Sequence, residues 1–170
     1  YAQFQFQVSD GKSYSSAHTL TLNVTAVDDA PTLAAVPGTR YTDTAANDVF
    51  ATHSGTLGGQ DKDGEPLTYG IQGATPAGGT ATLAGRYGTL SLNTATGAYT
   101  YTPNDSAINA LSGAASDPFT FTVSDGHTLV STTFTVDLAG TNDAPVLATP
   151  TPLHYTDTAA THTFAAQSGP

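Results

Sequence analysis

The two ends of the chain are copies of each other, and this self-similarity limits the fold more than any single motif does. FQFQVSDG, beginning at Phe4, matches FTFTVSDG, beginning at Phe119. LTLNVTAVDDAPTL (20–33) aligns with FTVDLAGTNDAPVL (134–147), and RYTDTAANDVFATHSG (40–55) with HYTDTAATHTFAAQSG (154–169). Pro31 and Pro145 stand 114 residues apart, whereas Asp10 and Asp125 stand 115 apart, so one copy carries a single-residue indel in between. A fixed period sets the architecture, and this one has the size of a whole domain rather than of a solenoid unit. The phase predicts that 1–29 are the C-terminal strands of one repeat, 30–143 a complete repeat, and 144–170 the N-terminal strands of a third. Tyr1 falls within a strand, so the expectation is a stretch excised from a longer array. A second phasing has the incomplete flanks pair between neighbouring chains, giving a homo-oligomer.

Alternation of apolar and polar residues predicts what each repeat is made of. Phe119, Phe121 and Val123 alternate with Thr120 and Thr122, and Phe134, Val136 and Leu138 repeat the pattern beyond Asp125-Gly126. Period two of this kind marks strands with one buried and one wet face. Leu90 and Leu92 lead through NTATG to Tyr99 and Tyr101, a hairpin closed by Gly97. Leu67, Tyr69 and Ile71 predict another strand after DKDGEP, and Tyr41 and Phe50 mark two weaker ones. Short strands separated by Gly, Asn and Asp turns predict an all-β, Ig-like Greek-key sandwich. Residues 104–116 break the pattern: Ile108 and Leu111 have helical spacing, with Asp105 or Ser106 as N-cap, and the alternative is a plain loop.

Charge narrows the function classes. Four Lys and Arg stand against fourteen Asp and Glu, a balance that disfavours nucleic acid and anionic membrane surfaces. No apolar run approaches the ~18 residues of a membrane span. Without cysteine there is no disulfide, thiolate metal site or thiol nucleophile. Glu65 is the only glutamate, so nearly every acid is an aspartate on a loop; such short carboxylates either solubilise the surface or build Ca²⁺ sites. The five histidines have no zinc-site spacing, and no nucleophile elbow, P-loop or dinucleotide motif is present. An enzyme is therefore not expected.

The strings GTLSLNTATGAYTYTPN, DPFTFTVSDG and TFTVDLAGTNDAPV resemble the cadherin-like, VCBS-type repeat of large bacterial RTX adhesins. The resemblance implies Greek-key sandwiches strung end to end in a secreted, cell-surface protein, often dependent on Ca²⁺. The junction strings VDDAP (27–31) and TNDAP (141–145) are similar to the calcium-ligating cadherin linker. The plainer reading is an Asp-Pro turn between domains, since Pro ends a strand and keeps its predecessor extended. Asp61 and Asp63 in DKDGE resemble the cadherin DxD element; an EF-hand is excluded, because Gly64 is fourth and Gln72 stands twelfth. By that resemblance Asp28, Asp29, Asp61, Asp63 and Asp125 would surround one or two Ca²⁺ ions, with Glu65, Asp10, Asn142 and Asp143 as weaker candidates. For Asp125 the competing role is hairpin chemistry, as Asp-Gly is a favoured turn pair. No counterpart of the cadherin DRE glutamate is found, which limits the expected ions to one or two. The second junction is expected to be incomplete.

Three functions are expected. The first is a structural extender, whose partners are neighbouring repeats and whose joints calcium stiffens. The second is a module that binds polysaccharide or extracellular matrix, with Tyr87, Tyr99 and Tyr101 as a stacking platform; the strand parity of Tyr99 and Tyr101 argues instead for the core. The third is an element that self-assembles through its flanks.

Overall fold

The computed structural model describes residues 2–145, 147–150, 152–155 and 166. Its elements, in chain order, are strands β1 (Ala2–Phe6), β2 (His18–Leu22), β3 (Thr32–Leu33), β4 (Thr39–Thr42), β5 (His53–Thr56), β6 (Gly59–Gln60), β7 (Thr68–Ile71), β8 (Thr80–Ala84), β9 (Gly88–Asn93) and β10 (Ala98–Pro103), then helix α1 (Asp105–Asn109), then β11 (Ala114–Ser124) and β12 (Leu129–Ala139). Two four-stranded sheets, ordered β5-β10-β9-β8 and β4-β12-β11-β7, form a sandwich, with β3 and β6 as a short extra ladder. All pairings within the sandwich are antiparallel except that of β4 with β12. The chain changes sheet between β4 and β5, between β5 and β7 by way of β6, between β7 and β8, and between β10 and β11, which is the Greek-key pattern of Ig-like sandwiches.

The alternating residues supply the core. Phe119, Phe121, Val123, Phe134, Val136 and Leu138 are buried on one sheet, and Leu90, Leu92, Tyr99 and Tyr101 on the other. The sheets meet through rings: Tyr99 lies 4.9 Å from Phe121 and 5.6 Å from Phe134, and Tyr101 lies 5.8 Å from Phe119. Offset and edge-on contacts of this kind add to the area that each ring buries. Tyr87, Tyr99 and Tyr101 are all buried, so they form no sugar-stacking platform. The packing also explains the buried Asp117. Its carboxylate accepts hydrogen bonds from Arg86 N (3.1 Å) and Tyr87 N (2.9 Å) and so satisfies the turn before β9. A side chain at Gly85 would run into that carboxylate.

Two local expectations need correction. Phe50 is not in a strand; β5 begins only at His53. The preceding loop is held by side chains instead of a ladder: Asp105 Oδ1 accepts from Phe50 N (3.1 Å) and Asn109 Oδ1 from Asp48 N (2.8 Å). Phe50 still packs edge-on against Tyr41, 5.6 Å away. The helix forms, but its N-cap is Asn104, which accepts from Ala107 N, rather than Asp105 or Ser106. Asp105 is occupied in pinning the Phe50 loop, and the helix lasts just long enough to bury Ile108.

The first hairpin differs in its surroundings. Among the described residues, β1 and β2 pair only with each other, with Phe4 opposite Leu20, just as Phe119 stands opposite Phe134. The sequence copy thus reproduces the register. Yet Phe4, Phe6, Leu20 and Leu22 are about half exposed, where their counterparts Phe119, Phe121, Phe134 and Val136 are buried.

Candidate metal centre

Three loops approach one another around the acidic residues singled out above: the strand-entry segment at Asp28 and Asp29, the turn from Asp61 to Glu65 between β6 and β7, and the β11–β12 turn at Asp125. The first contact is direct, since Asp29 N donates to Asp63 Oδ2 at 2.7 Å. Lys62 adds an exposed ion pair to Asp29 at 3.9 Å, a geometry worth little in water. Asp29 and Asp63 thus tie the entering segment to the turn.

Asp61 and Asp125 share one arrangement. Asp61 Oδ1 accepts from Asp63 N (2.8 Å) and Glu65 N (3.2 Å), shaping the DKDGE turn. Asp125 Oδ1 accepts from His127 N (2.7 Å) and Thr128 N (2.6 Å). Gly64 and Gly126 follow at φ +77° and +103°, the left-handed region that these tight turns need. Among the described residues, the second oxygen of both aspartates, Oδ2, is buried without a hydrogen-bond partner, and so is Glu65 Oε2. Bare buried carboxylate oxygens are costly, because each has surrendered water for nothing. The hairpin role of Asp125 and a free ligand atom coexist in one side chain.

Charge couples these side chains. The Glu65 carboxyl is held above its ordinary range, first by partial burial, then by the negative charge of Asp28 and, more weakly, of Asp61 and Asp125; His127 opposes the rise. Asp125 is held below the ordinary range, chiefly by the Thr128 N–H, against its own burial. A cation among these carboxylates would relieve both their repulsion and their missing partners. Asp28, Asp61, Glu65 and Asp125 offer only carboxylate oxygens, the chemistry that a hard ion such as Ca²⁺ would need. The residues present therefore fit the ion that the resemblance implies.

The remaining candidates lie elsewhere. Asp10 repeats the Asp125 turn on the first hairpin, with Oδ1 accepting from Lys12 N and Ser13 N, both at 2.9 Å. Those two N–H groups hold its carboxyl below the ordinary range. Asn142 and Asp143 are exposed and lie beyond the other end of β12, which by strand rise is about 33 Å from the Asp125 turn. There the structure reveals an acid that no motif in the sequence singled out. Asp43 is 1% exposed; its Oδ2 accepts from Thr141 N at 3.0 Å and its backbone oxygen from Thr141 Oγ1 at 2.8 Å. Its Oδ1 is buried and bare. The repeated YTDTAA string was the signal available for it. His127 is a second addition: its Nδ1 faces Glu65 Oε2 at 3.6 Å and Asp28 Oδ1 at 3.9 Å, and no spacing in the sequence announces that approach.

The family model for the bacterial cadherin-like domain matches residues 28–141. No curated protein matches the chain. Among solved structures, human protocadherin-24 EC1-2 is similar at 22% identity and a TM-score of 0.38, over 67% of this chain and 44% of that one. The endo-fucoidan hydrolase MfFcnA4, from glycoside hydrolase family 107, is similar at 17% identity and a TM-score of 0.35, and a variant of it at 20% and 0.38. Each of those matches covers 82% of this chain and 19% of the hydrolase. With the sandwich and the entering acidic segment both inside residues 28–141, the chain belongs to the bacterial cadherin-like domain family.

Proposed function

We propose that this chain is an extender of a bacterial cell-surface adhesin, in which 30–143 is one complete repeat and Ca²⁺ clamps the joint at its entry. One observation carries the reading: Asp61, Glu65 and Asp125 each keep a buried, unpartnered oxygen beside the segment that enters the domain. Asp28 would join these three in holding the ion, while Asp29 and Asp63 fasten the segment. Bound there, the ion supplies charge neutralisation and fixes the angle between successive sandwiches. The work is mechanical: a series of stiff joints holds a distal binding region away from the cell. Asp43, with its bare Oδ1, would serve the outgoing joint alongside Asn142 and Asp143.

Chelation tests this. Without calcium each sandwich is expected to stay folded, while the segment before Asp29 loosens and the scattering profile broadens. Ca²⁺ should also bring the Glu65 carboxyl down through its ordinary range, which carboxyl-resonance titration reads directly. Identical scattering and identical Glu65 titration with calcium and with chelator would sink the proposal.

A second reading concerns the flanks and rests on the half-exposed Phe4, Phe6, Leu20 and Leu22. Their counterparts are covered by Tyr99 and Tyr101 of the facing sheet, while β4 lengthens their own sheet by pairing in parallel with β12. Residues 153–156 copy that strand in sequence, but residue 156 and most of the later ones lie outside the described residues. A second chain offering this segment to β2 would extend the hairpin by a strand, as β4 extends the sheet beside β12, and bring its own hairpin within reach of the apolar face. The mass in sedimentation is then expected to rise with concentration; a monomer at all concentrations removes the second chain and leaves the adjoining repeat as the cover.

A further inference from the structure

The entry joint contains one group that a calcium site does not use. His127 stands in the β11–β12 turn with Nδ1 3.6 Å from Glu65 Oε2 and 3.9 Å from Asp28 Oδ1, and the three ligand atoms all lie within 4.8 Å of one another. Neither contact is a hydrogen bond, and Glu65 Oε2 is buried with no hydrogen-bond partner among the described residues. Two residues earlier in the same turn, Asp125 is 8% exposed with Oδ2 also buried and unpartnered. Its charge bears on Glu65, and that of His127 bears on it.

The spacing fits a small tetrahedral ion. Zinc holds nitrogen and oxygen ligands at about 2.0–2.2 Å, which places ligand atoms roughly 3.3–3.6 Å apart. The 3.6 and 3.9 Å separations from His127 need to close by only a few tenths of an ångström, and the Asp28–Glu65 separation, within 4.8 Å, by no more than a carboxylate rotation of about 1.5 Å. Calcium instead gathers six to eight oxygens and has no use for an imidazole nitrogen, whereas imidazole suits zinc and its neighbours among the transition metals. We infer that Asp28, Glu65 and His127 form a second, nitrogen-containing cation site of the Zn²⁺ class at the mouth of the joint, with the fourth position open to water. His127 is exposed enough to admit the ion from solvent. The site does not depend on the calcium reading, although occupancy by either ion would neutralise Glu65 and Asp28, so the two ions compete.

The test is calorimetric titration of the chelator-stripped chain with Zn²⁺ alone and with Ca²⁺ alone, in the parent, His127→Gln and Glu65→Gln proteins. The chain is expected to take up one Zn²⁺ at this site, and His127→Gln to weaken that uptake by at least about tenfold. Glu65→Gln should weaken uptake of both ions, since both use its carboxylate. Ca²⁺ uptake by His127→Gln should match the parent, since the substitution removes no oxygen ligand. In the parent, the His127 ring nitrogen resonance should shift on Zn²⁺ addition and not on Ca²⁺ addition. Absence of Zn²⁺ uptake, or uptake unchanged in His127→Gln because the ion sits on another histidine, overturns the inference. A parent that takes up zinc at His127 but no calcium would support this site and count against the calcium clamp alone.

Discussion

Asp125→Asn is expected to remove most of the calcium affinity of the entry joint while the sandwich remains folded. The two oxygens of Asp125 divide the labour, Oδ1 holding the His127 and Thr128 N–H groups and Oδ2 standing buried and bare. Asparagine keeps a carbonyl oxygen for the turn but puts an N–H₂ donor, which cannot ligate a cation, where Oδ2 was. Affinity at calcium sites follows the number of charged ligands, so one lost carboxylate should cost on the order of 100-fold. Asp61→Asn makes the same exchange on the opposite loop, since Asp61 Oδ1 shapes its turn and Oδ2 is free. At calcium 100 times the dissociation constant, ligand linkage raises stability by about 2.7 kcal/mol. Melting of the parent should therefore rise on adding calcium, and that of either variant should rise much less. An unaltered calcium-dependent rise in both variants would show that the ion lies elsewhere. The Asp125 turn also sets a pH dependence. Its folded-state carboxyl is held below the ordinary range, so its contribution is present above about pH 3.9 and is lost as the pH falls through the depressed value.

Phe121→Ala is expected to destabilise the complete repeat by about 3–5 kcal/mol, the larger effect on folding. Phe121 is fully buried in β11, opposite Ile71 of β7, with its ring 4.9 Å from Tyr99 and 5.8 Å from Phe134. Removing it opens a cavity at the point where the two sheets meet. The chain has no cysteine, so no disulfide limits the unfolded state, and a loss of this size is a large part of the ~5–15 kcal/mol typical of a domain. Phe6 is the sequence counterpart on the first hairpin, 57% exposed; Phe6→Ala should shift the same urea transition by no more than about 0.5 kcal/mol. Equal shifts for the two variants would mean that the hairpin is part of the same cooperative unit.

Local sequence carries some of these features and not others. The strands β9 to β12, their facing and their turns were legible, because burial on one face imposes period two and tight turns demand Asp, Asn or Gly at set places. The register of the first hairpin was equally legible from its copy. Asp28, Asp61 and Asp125 could be named from their motifs, since a carboxylate that shapes its own turn leaves a recurring local string. Tertiary structure alone decided the rest. Phe50 lies outside β5 because Asp105 and Asn109, 55 and 61 residues from their partners, take up the loop's N–H groups. Asp43 meets Thr141 across 98 residues because β4 runs parallel to β12, a pairing that no turn encodes. Asp63 accepts from Asp29 N, and His127 faces the carboxylates of Asp28 and Glu65, contacts between segments far apart in sequence. The repeat at the two ends determined which residues would form strands and where the acidic turns recur. Which of those acids keep a bare oxygen was settled only when strands distant in sequence closed around them and excluded water.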